Sequence, residues 1–117
     1  MKIKPLSALL ALVFLASGGA KLAGLEFEVA AFARWGYPSW FMYFTGVVEV
    51  AGGIGLLIGR VAALAAASMV LVMIGAVTTH VIHAEWGTLM VATVILVLAI
   101  LRAWLGRNDL FALLQRR

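Results

Sequence analysis

The chain has 117 residues, of which 65% are hydrophobic and 12% charged, and its mean hydropathy is +1.11. Water-soluble domains contain roughly 45 to 50% apolar residues, so this composition excludes an ordinary soluble domain and predicts a lipid bilayer as the solvent. Each membrane helix takes about 20 residues, which allows a single domain with at most about five crossings.

Cysteine and charge content narrow the function classes. The chain has no cysteine, which excludes a disulfide, a thiol relay and any metal centre that needs thiolates from this chain. Redox chemistry would therefore require a bound organic cofactor. The net charge is +4, but the basic residues lie between and beyond apolar runs, so they are interpreted as topology signals and no nucleic-acid partner is expected.

Uncharged apolar runs predict an all-α fold, because stretches such as Val70 to Val77 lack the alternation of a membrane β-strand. Little more than Arg60 separates the second and third runs, and little more than Glu85 separates the third and fourth, so consecutive helices should form antiparallel hairpins. We expect one integral membrane domain over residues 1–117, a four-transmembrane-helix up-down-up-down bundle with spans near 5–24, 40–59, 61–84 and 86–104, an outer loop at 25–39 and a cytoplasmic tail at 105–117.

The distribution of basic residues predicts the orientation. Seven basic residues lie at the end of the bundle that holds both termini, and two lie at the other end. Cytoplasmic segments carry the excess of Lys and Arg, so both termini are expected in the cytoplasm of a multi-pass protein in a bacterial-type plasma (inner) membrane. The seven are Lys2, Lys4, Arg60, Arg102, Arg107, Arg116 and Arg117, and the two are Lys21 and Arg34.

The first span has a second interpretation. Lys2 and Lys4 precede an apolar run from Leu6 to Ala16 and small residues from Ser17 to Ala20, a pattern that is also typical of a cleavable signal peptide. Cleavage would leave three spans. We favour a retained helix, in which the glycines of this segment serve as close-packing positions.

Two short helices are expected outside the spans. In the outer loop, Phe27, Ala31 and Arg34 share one helical face and Glu28 lies away from it, which predicts a helix at the membrane interface. In the tail, Asn108 or Asp109 can cap an anchoring helix, and the alternative is a frayed tail without function. The residues expected at headgroups or lipid are Trp35, Tyr37, Trp40 and Tyr43 on the outer side, and Leu110, Phe111, Leu113, Leu114, Arg116 and Arg117 in the tail.

Glu49 is predicted to be a carboxylate near the middle of the bilayer. It follows Trp40 by nine residues, which places it roughly 13 Å into a hydrocarbon layer about 30 Å thick. A charge there costs about 2.5 to 3.5 kcal/mol on insertion scales, so Glu49 must be protonated, paired or in contact with interior water. Gly46, Gly52 and Gly53 lie on its side of the helix and predict that it faces the interior.

Lys21 and His80 are the candidate partners of Glu49, each about 7 Å away along the membrane normal. We expect Lys21 to pair with Glu49, the alternative being that it extends to the outer headgroups. His80 with Thr79 is interpreted as a hydrogen-bonding lining. The predicted buried polar cluster, which would also bind a ligand, is Lys21, Glu49, Thr79 and His80, with His83, Glu85 and Arg34 as secondary candidates.

A stripe of residues spaced by three or four along the third span indicates its core-facing side: Met69, Met73, Ala76, His80 and His83. The two imidazoles share a face near Glu85, a spacing that can bind metal, but we expect no metal here. Haem ligation is also not expected, because two histidines on one face cannot approach an iron from opposite sides.

A recognisable set of motifs surrounds these polar residues. They are Trp35-Gly-Tyr-Pro-Ser-Trp-Phe; Gly46-x-x-Glu49-x-x-Gly52-Gly53 followed by Leu56-Leu57 and Arg60; Gly19 with Lys21-Leu22; and Met73-x-Gly75-Ala76-x-x-Thr79-His80. The combination, over residues 15–83, resembles the DoxX-like family of small four-helix integral membrane proteins. That family takes its name from a membrane subunit associated with thiosulfate oxidation coupled to quinone, and some relatives are linked to sulfur or thiol redox systems.

The resemblance and the polar residues lead to three functional hypotheses. The first is a non-catalytic membrane helper or assembly component of a redox system, in which the polar cluster only specifies how the helices dock. The second is a quinone-binding membrane subunit of an oxidoreductase, because a quinone under reduction needs a cationic donor and a proton relay. The third is a small oligomeric transporter. We expect the first, without enzymatic activity of its own; quinone is the candidate cofactor, and the bilayer, a redox protein and further copies of the chain are candidate partners.

Overall fold

The computed structural model of the protein describes residues 3–115. Within this range the chain forms six α-helices and one 3-10 turn and contains no β-strand, which confirms the all-α prediction. Lys2, Arg116 and Arg117 lie outside the described residues. The helices are α1 (Ile3–Leu22), α2 (Glu26–Trp35), α3 (Ser39–Leu56), α4 (Ala62–Ile82), α5 (Trp86–Leu105) and α6 (Arg107–Gln115), and the 3-10 turn is Gly59–Val61.

Three helical segments among the described residues are long and apolar enough to cross a membrane: Lys4–Leu22, Gly59–Ile82 and Trp86–Leu105. The remaining long helix, α3, has 18 residues and includes Glu49 together with several glycines, which lower its hydropathy. It ends at Leu56, before the predicted limit at 59, because the chain leaves the helix at Leu57 and enters the 3-10 turn around Arg60.

The long helices form two closely packed pairs. α1 packs most extensively on α3, and α4 packs on α5. Three residues connect α4 to α5, so these two helices form a hairpin. Contact between the two pairs is sparser. α1 and α3 run antiparallel, and their backbones nearly touch at Gly18 and Gly46. A Cβ on Gly18 would lie 2.8 Å from the carbonyl oxygen of Gly46 and 2.9 Å from the backbone nitrogen of Val50, so only glycine permits this approach.

The apolar core lies where the two pairs meet, toward the end of the bundle that holds α6. Leu10 and Met69 are fully buried there, and Phe14 is 1% exposed. On α4, Met69 and Met73 are buried, and the stripe continues through half-buried Ala76 to the histidines. This confirms the core-facing side of the helix from Met69 to His80, whereas His83 lies just beyond the end of α4.

Arg102 differs from its predicted role as a surface topology charge. The residue is 4% exposed, and its Nε donates a hydrogen bond to Ser7 Oγ on α1. Its Nη1 is a buried nitrogen without a hydrogen-bond partner in the described part of the chain. The arginine lies near the end of α5 and reaches inward, and its guanidinium group lies against Gly106, the residue before α6.

The two predicted short helices are present as α2 and α6. α2 turns Glu28 and Phe32 toward the bundle, where both are buried, while Phe27 is exposed. α6 begins at Arg107, so Asn108 and Asp109 lie in its first turn and neither precedes the helix as a cap. An aspartate in this position is favourable, because the first turn of a helix carries a partial positive charge.

Candidate functional site

A cavity of about 960 Å³ lies between the two helix pairs, with α2 along one side. Helices α1 to α5 all contribute to its walls, which combine aromatic rings with a set of polar side chains. The aromatic residues are Phe14, Phe27, Phe32, Trp35, Tyr37, Phe41 and Phe44. The other polar residues are Ser17, Lys21, Glu28, Arg34, Thr45, Glu49, Thr79, His80, Glu85 and Thr88.

The first polar group, here called the lysine cluster, consists of Ser17, Lys21, Glu28 and Glu49. Lys21 Nζ lies 3.0 Å from Glu49 Oε1 and 3.3 Å from Glu28 Oε2, and it donates to Ser17 Oγ at 2.8 Å. Ser17 in turn donates to Glu49 Oε1 at 2.9 Å. The exposed fractions of Lys21, Glu28 and Glu49 are 8%, 9% and 4%. Lys21 is therefore directed at Glu49, as expected, and is buried within the bundle.

Local structure explains how three helices meet at this lysine. Ser17 precedes Lys21 by one helical turn on α1, so both side chains lie on the same face. Gly24, with a φ of +64°, then reverses the chain in a left-handed conformation that glycine adopts without strain. The turn brings the first part of α2 back over the end of α1, and Glu28 reaches the ammonium group from above.

The second polar group, here called the glutamate cluster, surrounds Glu85 between α4 and α5. Glu85 accepts hydrogen bonds from Trp35 Nε1 at 3.0 Å and Arg34 Nε at 3.0 Å, and Arg34 Nη2 lies 2.8 Å from its Oε2. His80 Nδ1 lies 2.8 Å from Glu85 Oε1. Arg34 and Trp35 come from α2, so this carboxylate connects α2 to the α4–α5 hairpin.

The turn that carries Glu85 contains a non-glycine residue with positive φ, Ala84 at +55°. This conformation is unfavourable for alanine, and it places the Glu85 backbone nitrogen 2.9 Å from the His80 carbonyl oxygen. The same reversal directs the Glu85 side chain back toward the His80 ring. The geometry of the glutamate cluster is thus set by the end of α4.

We predict an acid-dependent loss of stability that originates at Glu85. Its pKa is lowered from the ordinary 4.5 to about 2, mainly by the hydrogen bond with His80 and further by Trp35 and Arg34, against the opposing effect of burial. A carboxyl group whose folded pKa is lowered stabilises the fold above its unfolded pKa and loses that contribution as the pH falls from about 4.5 toward 2. Thermal unfolding between pH 7 and 2 should show a steeper decline for the wild type than for Glu85→Gln.

Glu26→Gln is the matched control for this pH series, because Glu26 is an exposed carboxylate on α2 outside both clusters. It should retain the acid-dependent decline of the wild type. An unchanged pH profile in Glu85→Gln would show that the low pKa of Glu85 does not contribute to stability.

Thr79 connects the histidine region to the aromatic wall. Its hydroxyl donates to the Gly75 carbonyl oxygen at 2.9 Å, so Tyr37 Oη is the donor in their 2.8 Å contact. His83 lies apart, with Nδ1 2.8 Å from the Thr79 carbonyl oxygen, and is not part of the cavity wall. Among residues 3–115 no group of three or more His, Asp or Glu side chains is arranged to hold a metal ion.

The predicted site residues therefore divide between two groups on one cavity. Lys21 and Glu49 lie in the lysine cluster, and His80 lies in the glutamate cluster with the secondary candidates Arg34 and Glu85. Thr79 belongs to neither cluster but lines the same cavity, and His83 is not part of the cavity wall. The site also includes four residues that were not predicted as part of it: Ser17, Glu28, Trp35 and Tyr37. Helical periodicity could have found Ser17, whereas the position of Glu28 depends on a turn that periodicity does not describe.

Comparisons with known proteins agree with the motifs. The model of the DoxX-like family matches residues 5–102. The chain is 34% identical over 85 residues to an uncharacterized protein, YdgD, of Bacillus subtilis (strain 168), covering 69% of this chain and 75% of that protein. No solved structure matches the chain. The matched region contains both polar clusters, all of α2 to α4 and α1 from residue 5 onward, and the chain belongs to the DoxX-like family.

Proposed function

We propose that the protein is a multi-pass protein of a bacterial plasma membrane in which α1, α3, α4 and α5 all cross the bilayer and both termini lie in the cytoplasm. The family and the three long apolar helices support a membrane location. The packing of α3 between α1 and α4 supports a fourth span, since its 18 residues extend about 27 Å, close to the hydrocarbon thickness. The excess of basic residues at the end with both termini supports the orientation.

Single cysteines test this topology directly, because the chain contains no cysteine of its own. Lys4→Cys, Arg60→Cys and Ala30→Cys each change an exposed residue. If α3 crosses the membrane, Ala30→Cys should react with an impermeant maleimide from the outside of intact cells, and the other two only after the cells are opened. Equal labelling of positions 30 and 60 in intact cells would contradict the fourth span.

We further propose that the protein binds a lipid-soluble small molecule in the cavity between its helix pairs. The supporting observation is the cavity itself, whose apolar wall includes the exposed side chains of Phe44, Leu71 and Val91 and whose interior holds the two polar clusters. Exposed apolar side chains on a membrane helix contact lipid, so a ligand would enter sideways from the bilayer. A molecule with an apolar body and a polar group fits this arrangement.

Filling the cavity tests the binding proposal. A Cβ on Gly75 meets no atom within 4 Å, and Gly75 is part of the cavity wall, so the ring of Gly75→Phe is expected to occupy space in the cavity. Gly87→Phe is the control, because Gly87 has equal room but lies outside the wall. Mass spectrometry of organic extracts should find a stoichiometric small molecule with the wild type and with Gly87→Phe, and at least about tenfold less with Gly75→Phe. Bilayer phospholipid alone in all three extracts would contradict the proposal.

A non-catalytic helper of a redox system is the second candidate function. It is favoured by the way the buried groups satisfy one another: the Lys21 ammonium has three partners, and Glu85 accepts from three side chains. Such internal pairing is typical of polar groups that specify helix docking. In this case Glu49→Gln would lower the stability of the protein, and mass spectrometry would find the same molecules in its organic extract as in that of the wild type. A quinone found only with the wild type would instead identify a quinone-binding subunit.

A further inference from the structure

The cavity carries more negative than positive charge. Its walls hold three carboxylates, Glu28, Glu49 and Glu85, against one ammonium and one guanidinium group, those of Lys21 and Arg34. Arg34 is paired with Glu85, so the surplus belongs to the lysine cluster, where one ammonium group lies between two carboxylates. An uncompensated charge is unfavourable away from water, and a positively charged ligand would remove this cost.

The unused hydrogen-bonding capacity points to the same kind of ligand. Glu49 is 4% exposed and contributes to the cavity wall, yet no side chain among residues 3–115 donates to its Oε2, and Glu28 Oε1 is likewise without a donor. The neighbouring donors are already used, because Lys21 has three partners and Ser17 donates to Glu49. A polar group that enters here meets acceptors and must itself supply the donors.

The apolar part of the wall suits a positive charge next to a hydrocarbon group. The Phe32, Tyr37 and Phe41 rings pack against one another with centroids 5.4 to 6.3 Å apart along the cavity. Aromatic rings attract cations, most strongly where water is excluded. Beyond them, Leu71 and Val91 continue the wall out to the exposed surface of the helices.

We propose that the cavity binds a lipophilic ammonium ion, with its N–H groups on Glu28 and Glu49 and its hydrocarbon part along the aromatic wall. This inference rests on the proposed ligand-binding function and specifies the chemical class of the ligand. The protein as a whole has a formal net charge of +4, so its long-range field repels cations. The attraction must therefore come from the surplus carboxylate in the cavity.

The experiment compares two probes with similar aromatic bodies: 2-(2-naphthyl)ethylammonium and 2-naphthaleneethanol. Both can donate hydrogen bonds, and only the first is charged. Binding is measured by titration calorimetry on the full-length protein in nanodiscs of zwitterionic phosphatidylcholine, with empty nanodiscs as the blank. The wild type should bind the ammonium probe at least about tenfold more tightly than the alcohol, because only the ammonium group neutralises the surplus charge. A tenfold difference in affinity corresponds to about 1.4 kcal/mol.

Two variants and a control assign the selectivity to the lysine cluster. Glu49→Gln and Glu28→Gln each remove the surplus charge, and each leaves Lys21 with the other carboxylate as its partner. Both should lower the affinity for the ammonium probe about tenfold more than the affinity for the alcohol. Glu26→Gln removes an exposed carboxylate of α2 outside the cavity and should bind both probes as the wild type does.

Two outcomes would overturn the ammonium proposal alone. One is equal affinity of the wild type for both probes, as expected if a proton already neutralises the surplus carboxylate. The other is wild-type affinity for the ammonium probe in both folded glutamine variants, with folding checked by circular dichroism. If neither probe binds to the wild type, the result would count against the proposed ligand-binding function as well.

Discussion

Replacement of Lys21 by methionine is expected to lower the free energy of unfolding by about 3 to 5 kcal/mol. Methionine preserves the length of the side chain but leaves Glu28 and Glu49 without the ammonium group that lies between them. All three residues are less than a tenth exposed, so water compensates little for the lost partner. Chemical denaturation in detergent micelles, followed by circular dichroism, measures the change.

The controls separate loss of the ion pair from loss of a lysine in general. Lys4→Met changes an exposed lysine of the same helix and should alter stability by less than about 0.5 kcal/mol. The double variant Lys21→Met/Glu49→Gln should regain part of the lost stability. In Lys21→Met the Glu49 carboxylate has no cationic partner, and Glu49→Gln removes that unpaired charge. Wild-type stability in Lys21→Met would show that the lysine cluster does not hold the helices together.

Gly18→Ala is expected to lower the free energy of unfolding by about 1 to 3 kcal/mol, because the added methyl group overpacks the contact between α1 and α3. The three atoms it would meet include the Gly46 carbonyl oxygen and the Val50 backbone nitrogen, at 2.8 and 2.9 Å. Backbone atoms cannot move aside as a flexible side chain can. The two helices must therefore separate, and their tight pairing is lost. The same denaturation experiment measures this effect.

Gly19→Ala provides a neighbouring control with the opposite expectation. A Cβ on Gly19 meets nothing within 4 Å, so the substitution only removes the conformational freedom of glycine from a helix. It should leave stability unchanged or raise it by up to about 1 kcal/mol. Similar losses for both alanine variants would show that the α1–α3 contact does not explain the result, because Gly19 takes no part in that contact.

Hydropathy and helical periodicity were sufficient to predict much of the fold, because both properties depend only on the sequence of each helix and not on its neighbours. The apolar run of α4 and the spacing of Met69 and Met73 predict a helix and its buried side without any knowledge of its neighbours. Arg102 shows where this reasoning fails. Charge counting assumes that an arginine lies in the headgroups, but its long stem allows it to reach Ser7 across the bundle.

The candidate site was partly predictable for a related reason. The cost of a mid-membrane carboxylate identifies Glu49 and requires a partner, and Lys21 lies at a suitable depth. Glu28 was not predicted, because its approach depends on a reversal at Gly24 that brings two helices together in three dimensions. The division of the polar residues between two clusters likewise follows from the path of α2, which periodicity does not determine.

The order of chain synthesis gives the two partners of Lys21 different significance. Glu28 follows the lysine by only seven residues, whereas Glu49 belongs to a later helix. At roughly 5 to 20 residues per second, α3 leaves the ribosome one to a few seconds after Glu28. During that interval the Glu28 carboxylate is already available to Lys21. We therefore expect α1 to enter the bilayer with its lysine paired to Glu28, before Glu49 is available, and the folded structure retains that contact.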